Sequence, residues 1–318
     1  MNTTSTRQST DRIRRLSPKK RLVKLIGRIT FSCMSRASSL LRPWSVELIG
    51  NSLGSLFYVL SKRYRKVALK NLRAAFANEK TDAEIRSIAK EVFKHFARGS
   101  LEFFRLLSLT PEQIGEMIEF EGAEHIDNAL AKGNGCIIIT AHYGNWELLA
   151  RKLVLLGYSV NVIARDSDDP GMTGIATRIR ETAGYKVFDR DQSLLGVVRG
   201  LRNNELLGIL PDQNESHGIF VDFFSRPAKT AVGPAIFSLR SGAPLVPVFA
   251  ARLGRGKYKA VAHPPVQFEP SGDEEKDIHD LTALIQKAIE KEVAANPSQW
   301  LWLHDRWKLS SEAPTNGD

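Results

Sequence analysis

Cysteine is scarce: the 318 residues hold two, Cys33 and Cys136, 103 positions apart. Neither a disulfide framework nor a cysteine-based zinc site can be built from such a pair. The seven histidines fall at no metal-ligand spacing, and no segment repeats or reads as a low-complexity linker. Long apolar runs are missing from the N-terminal segment, where the longest uncharged stretch, Leu48 to Ser61, has 14 residues. A membrane-spanning helix needs roughly 20. The first 20 residues are polar, and no small-residue cleavage site follows an apolar core, which argues against a signal peptide.

Acidic residues are almost absent from residues 1–73. Asp11 and Glu47 stand there against 17 of the chain's 45 Lys and Arg, a net charge of +15. Residues 74–318 carry 28 bases and 33 acids, a net of −5. The basicity of the chain, +10 in all, therefore belongs to an N-terminal segment joined to a slightly acidic body. Nucleic acid and an anionic membrane surface are the partners such asymmetry suggests. The apolar residues interleaved with the bases, in KRLVKLIGR (20–28) and VELIGNSLGSLFYVL (46–60), favour a helix lying in the membrane interface. Each nearby base would add ~1 kcal/mol of attraction to anionic headgroups. An amphipathic helix docked on the protein's own body is the plainer alternative. Nucleic acid ranks below both, because no recognised module accompanies the charge.

The rest is ordinary globular material, with 42% hydrophobic and 25% charged residues, enough to bury a substantial core. The pattern divides into a polar basic tail (1–20), a basic amphipathic helical membrane-attachment region (21–110), an α/β domain (111–308) and a polar tail (309–318). Residues 62–76 read as a basic amphipathic helix. Residues 81–107 continue helically, with Thr81 and Glu84 spaced as a capping box. Pro111 opens a further short helix. From 136 onward, strands (136–140, 158–164, 185–189, 206–210, 244–250, 258–262) alternate with helices (146–156, 172–183, 193–203, 232–241, 275–295). That alternation implies a largely parallel sheet covered on both faces. Ligands bind such sheets at the carboxyl ends of the strands.

Ionisable residues crowd those ends: Ala141-His142-Tyr143-Gly144-Asn145-Trp146-Glu147 after the first strand, Arg165-Asp166 after the second, Pro211-Asp212-Gln213-Asn214 after the fourth. His142 and Glu147, about 140° apart on a continuous helix, meet only if the strand ends at His142 and a helix begins near Glu147. Gly144 allows the turn and Asn145 is a favoured N-cap. The helix N-terminus favours ionised Glu147, which is expected to fix the tautomer of His142 and make it a general base for a hydroxyl. A surface histidine beside a capping glutamate is the bland alternative.

AHYGNWE resembles the His-x4-Asp/Glu box of glycerolipid-type acyltransferases, and in its H-x-GNWE form that of the bacterial late (secondary) lipid A acyltransferases. The later blocks follow in the same order: Ala164-Arg165-Asp166, PDQN (211–214), FVDFFSRPAKTA (220–231), SLRSGAPLVPVF (238–249) and NPSQWLWLHDRWK (296–308). The resemblance covers roughly residues 20–308. It implies a glycerolipid-acyltransferase-like α/β fold at the cytoplasmic face of the inner membrane. It also implies transfer of an acyl chain from acyl carrier protein to a hydroxyl of a lipid A precursor or related glycolipid. His142 then matches the base and Glu147 its acidic partner, the catalytic pair. Arg165 matches an arginine for phosphate or the developing oxyanion, and Asp212, Gln213 and Asn145 fall to the substrate site. Asp305 departs from the pattern at a place usually basic. Because a thioester is already activated, no metal or cofactor is needed. An acyltransferase of the same fold using another glycolipid or a lysophospholipid, from acyl-CoA, is the nearest alternative. A non-catalytic membrane-binding protein is the other.

Several features carry bland readings. Gly50-Asn-Ser52-Leu-Gly54 has the G-x-S-x-G spacing of a nucleophile elbow, but no strand precedes it. Trp300, Trp302 and Trp307 are expected to pack a C-terminal helix into the core rather than form an interfacial belt. Val221 to Phe224 has the lining of an acyl tunnel as one reading and a buried strand as the plainer one. His304-Asp305 and His217 read as structural or peripheral, and Arg165 has Asp166 and Asp212 as alternative partners.

Overall fold

The computed structural model of the chain describes Ala37 and residues 41–164, 170–189 and 194–312. The helices described ahead of the α/β body are α1 (Pro43–Leu60), α2 (Lys62–Phe76) and α3 (Asp82–Arg105). Thr81 and Glu84 form the expected capping box at the head of α3. Gly50 and Gly54 let α1 lie directly on α3. A Cβ at Gly50 would stand 2.5 Å from Cγ of Arg98, and one at Gly54 only 2.3 Å from Cα of Lys94. The G-x-S-x-G spacing is thus a helix-packing feature, and exposed Ser52 simply bonds the carbonyl of Leu48 at 2.9 Å.

The α/β body follows in the order α4 (Pro111–Met117), β1 (Ile118–Glu121), α5 (Ala123–Leu130), β2 (Cys136–Ile139), α6 (Trp146–Leu155), β3 (Val160–Ala164) and α7 (Pro170–Thr182). Then come β4 (Lys186–Asp189), α8 (Leu194–Arg202), β5 (Leu206–Ile209), β6 (Ile219–Asp222), β7 (Pro227–Thr230) and α9 (Gly233–Ser241). The last elements are β8 (Leu245–Gly254), β9 (Lys257–Ala262) and α10 (Glu274–Ala295). Seven strands make one sheet in the order β1-β9-β8-β2-β5-β3-β4, parallel throughout except for the β8–β9 pair. The central strands β2 (CIII) and β5 (LLGI) are buried on both faces, so they read as continuous apolar runs rather than alternating ones. Their side chains still alternate between two cores. Ile137, Ile139, Leu207 and Ile209 join α2, α3 and α10 on one face, whereas Cys136, Ile138 and Leu206 join α4 and α6 on the other.

Every strand and helix expected between 136 and 295 is present within a few residues, and the sheet is mixed and mostly parallel as anticipated. Three features differ. β1 was not foreseen because its sequence, IEFE, alternates at a sheet edge and buries only Ile118. Of Val221 to Phe224, only Val221 and Asp222 are in a strand, the β6 arm of the β6–β7 ribbon, and Phe223 and Phe224 enter the bend, where Phe224 and Ser225 have positive φ. Trp300, Trp302 and Trp307 are buried as expected, but in a run of turns, not on a helix.

The basic helices divide in two. The apolar faces of α2 and α3 (Leu72, Phe76, Ile85, Phe93) share a core with the sheet. In contrast, α1 turns Trp44, Leu48, Leu56, Val59 and Leu60 outward, all more than half exposed. None of the described helices is long and apolar enough to cross a membrane.

Candidate active site

The site is built on the turn from β2 into α6. Gly144 sits there at φ 58°, and a Cβ would fall 1.7 Å from the carbonyl oxygen of Ala250 on β8, so no other residue fits. Asn145 caps α6 as expected, its side-chain oxygen accepting from the amide of Leu148 at 3.0 Å. Backbone hydrogen bonds pin the turn on two more sides: Gly144 to Gln299 at 3.0 Å, and Leu301 to the carbonyl of His142 at 3.0 Å. From α3, Nε2 of His95 donates to the carbonyl of Gly144 at 2.9 Å. Burial pulls the pKa of His95 down to about 3, helped by the nearby Arg252 charge, so its ring is a neutral strut.

His142 emerges from this frame with a buried carboxylate behind it, that of Asp212. Nδ1 of His142 lies 2.8 Å from Oδ1 of Asp212, while Oδ2 accepts from the amide of His142 and from the Trp300 indole, both at 2.8 Å. Burial alone would raise the Asp212 pKa. The His142 charge and these three hydrogen bonds outweigh it and hold the carboxyl below its ordinary value. A carboxylate only accepts, so in the neutral ring the proton sits on Nδ1 and the lone pair is on Nε2. The amide nitrogen of Gln213 approaches Nε2 at 3.4 Å, and the Trp146 ring stacks edge-on at 5.1 Å.

This corrects the expected pairing. Glu147 does stand in the first turn of α6, but its carboxylate is taken by Arg180 of α7, at 2.6 Å to Nη2, and by the Tyr185 hydroxyl at 2.5 Å. The acid behind His142 comes instead from the end of β5. Two substrate-site expectations change with it. Asp212 is 1% exposed with both oxygens occupied, and the amide nitrogen of Asn145 is spent on Glu102 at 3.0 Å, itself paired with Arg252 at 2.5 Å. Neither offers a free polar atom to a ligand. Arg165 and Asp166 lie outside the described residues. Asp305, the departure from the family pattern, pairs with Lys70 of α2 at 3.2 Å.

Two cavities meet at His142, Trp146 and Glu147. One, of about 300 Å³, is apolar and lies between α3 (Val92, Phe96, Phe103) and Trp300-Leu301. The other, of about 810 Å³, opens over the carboxyl ends of β2, β3 and β5, where Thr140, Ala164, Gln213, Asn214, Ser216 and Lys308 line it. His304, read from the sequence as peripheral, lines this second cavity too. Its Nε2 accepts from the amide of Asn214 at 3.0 Å, which leaves the ring proton on Nδ1 as a donor. Burial lowers its pKa against the opposing pull of Asp212, keeping it neutral. Only its place in the last matching block, beside Trp302, hinted at a site role. Among the described residues no cluster of His, Cys, Asp and Glu could hold a metal ion.

The chain resembles known proteins over most of its length. Residues 33–309 match the family model of bacterial lipid A biosynthesis acyltransferases. The lipid A biosynthesis lauroyltransferase of Escherichia coli is 28% identical over 83% of this chain and 85% of its own length. The lipid A biosynthesis palmitoleoyltransferase of the same organism is 25% identical over 82% and 84%. A phosphatidylinositol mannoside acyltransferase of Mycobacterium tuberculosis is 26% identical over 65% of this chain and 66% of its own. The chain belongs to the bacterial lipid A biosynthesis acyltransferase family.

Proposed function

We propose that the protein moves a fatty acyl chain from an acyl carrier protein thioester to a hydroxyl of a lipid A precursor, with His142 as general base. The observation that carries this reading is the His142–Asp212 pair standing where an apolar cavity meets a larger one of mixed polar and apolar lining. An acyl chain fits the first and a sugar headgroup the second, which brings carbonyl and hydroxyl together at Nε2. Nε2 takes the hydroxyl proton as the oxygen attacks the thioester carbonyl. Collapse of the tetrahedral intermediate breaks the C–S bond, and the imidazolium returns the proton to the thiolate. Asp212 holds the ring in its tautomer and stabilises its charged form.

The general-base contribution is about 10²–10⁴ in rate, and donors around the oxyanion add about 10²–10³. Gln213, beside Nε2, is proposed to hold the acceptor hydroxyl, and Arg165, which follows the cavity-lining Ala164, a phosphate or the oxyanion. Glu147 acts through Arg180 and Tyr185, fixing the wall shared by both cavities. The name of the mycobacterial relative favours one second reading, the same chemistry on another glycolipid.

The outward stripe on α1, followed by Lys62, Arg63 and Lys66, supports attachment to an anionic membrane surface at the cytoplasmic face of the inner membrane. Incubating the protein with acyl carrier protein thioester and lipid A precursor, then weighing the lipid product, tests the function. Addition of one acyl mass is expected, and an unchanged acceptor with unconsumed thioester overturns the proposal.

A further inference from the structure

The apolar cavity runs along one side of α3, where Val92, His95, Phe96, Gly99 and Phe103 recur at the three- and four-residue spacing of a helix face. The opposite side, with Lys94 and Arg98, is covered by α1. Gly99 is the single glycine of this 24-residue helix. Nothing in the backbone asks for it, since its φ is not among the positive ones, and glycine weakens a helix interior. Its neighbours do not require it either. A Cβ at Gly99 would meet no described atom within 4 Å, in contrast to Gly50 and Gly54, which are wedged against α3 from outside.

We infer that Gly99 is a specificity-determining residue: the gap it leaves in the α3 wall is where the hydrocarbon chain of the acyl donor lies, and its width limits the chains accepted. This rests on the acyl-transfer reading above. The occupant follows from the lining. Val92, Phe96, Phe103 and Phe104 dominate the α3 wall, the neutral His95 is spent on Gly144, and the charge of Glu147 is matched by Arg180, so hydrocarbon fits better than a sugar or phosphate. A Cβ at Gly99 meets no described atom within 4 Å, and each further side-chain carbon takes up volume on this cavity-lining face of α3.

The test measures kcat/KM for wild type, Gly99→Ala, Gly99→Leu and Gly99→Phe with a series of saturated acyl carrier protein thioesters, short to long, alongside thermal unfolding of each. Leucine and phenylalanine favour the helix over glycine, so all variants are expected to unfold no lower than wild type. The preferred chain is expected to shorten by roughly two to four carbons in Gly99→Leu and further in Gly99→Phe. The longest chain should lose about tenfold or more while the shortest stays within about threefold. An unmoved chain-length profile in folded Gly99→Phe, or an equal loss on every chain, overturns the inference and leaves the acyltransferase reading standing. A wild-type protein that transfers no acyl chain removes both.

Discussion

His142 and Asp212 are 70 residues apart, and the same offset pairs Ile139 with Ile209 across the adjacent parallel strands β2 and β5. Three residues past each strand end, the register still holds, so the imidazole and the carboxylate come face to face at 2.8 Å. The pairing of His142 with Asp212 is thus a consequence of sheet register. It is supported from α3, where His95 props the same turn, and from the C-terminal block, where the Trp300 indole grips the carboxylate.

The strut at His95 makes stability depend on pH. Its pKa is lowered from 6.5 to about 3 by burial, so between these values the unfolded chain binds a proton that the folded protein refuses. Stability is therefore full above pH 6.5 and falls as the pH drops towards 3, by about 2 kcal/mol at pH 5. Asp212, held below its ordinary 3.8, adds its own loss only below that pH. Denaturant unfolding of wild type and His95→Gln from pH 7 to pH 4 checks this. The glutamine amide can still donate to Gly144, and the variant's stability should be much flatter over that range.

The glycines of α1 give a second expectation. Gly54→Leu places atoms inside the backbone of α3 and should destabilise the protein by about 1–3 kcal/mol or more. Ser52→Ala, between them in the sequence, removes one exposed hydrogen bond to Leu48 and should leave stability and acyl transfer near wild type. A large activity loss in Ser52→Ala would restore the nucleophile-elbow reading.

Glu147 separates a wall-fixing role from a chemical one. Replacing it with glutamine breaks a largely buried pair with Arg180 and weakens the Tyr185 contact, at a cost of about 2–4 kcal/mol. Activity and melting temperature are expected to fall together in Glu147→Gln. Lost activity at an unchanged melting temperature would put this carboxylate in the reaction itself.

Local signals made much of this fold legible. The capping box at Thr81, the Gly144-Asn145 turn and the apolar runs at 136–139 and 206–209 each depend on residues adjacent in sequence. Likewise the strand-end rule singled out both His142 and Asp212. Which carboxylate would meet the imidazole was hidden, because spacing within one segment says nothing about the register of two strands 70 residues apart. Glu147 looked like the partner for being near in sequence. Asn145 looked available to substrate because its amide nitrogen's partner, Glu102, sits on a helix whose docking no local pattern encodes. His304 was passed over for the same reason, since its tautomer is set by the amide of Asn214, 90 residues earlier.

The most direct measurement is kcat for acyl transfer by Asp212→Asn beside His142→Ala, each shown to melt with wild type. Asparagine keeps the shape of the carboxylate but cannot stabilise the imidazolium, so both variants should lose about 10²–10⁴ in kcat with little change in KM. Transfer within about threefold of wild type by folded Asp212→Asn would contradict the His142–Asp212 mechanism.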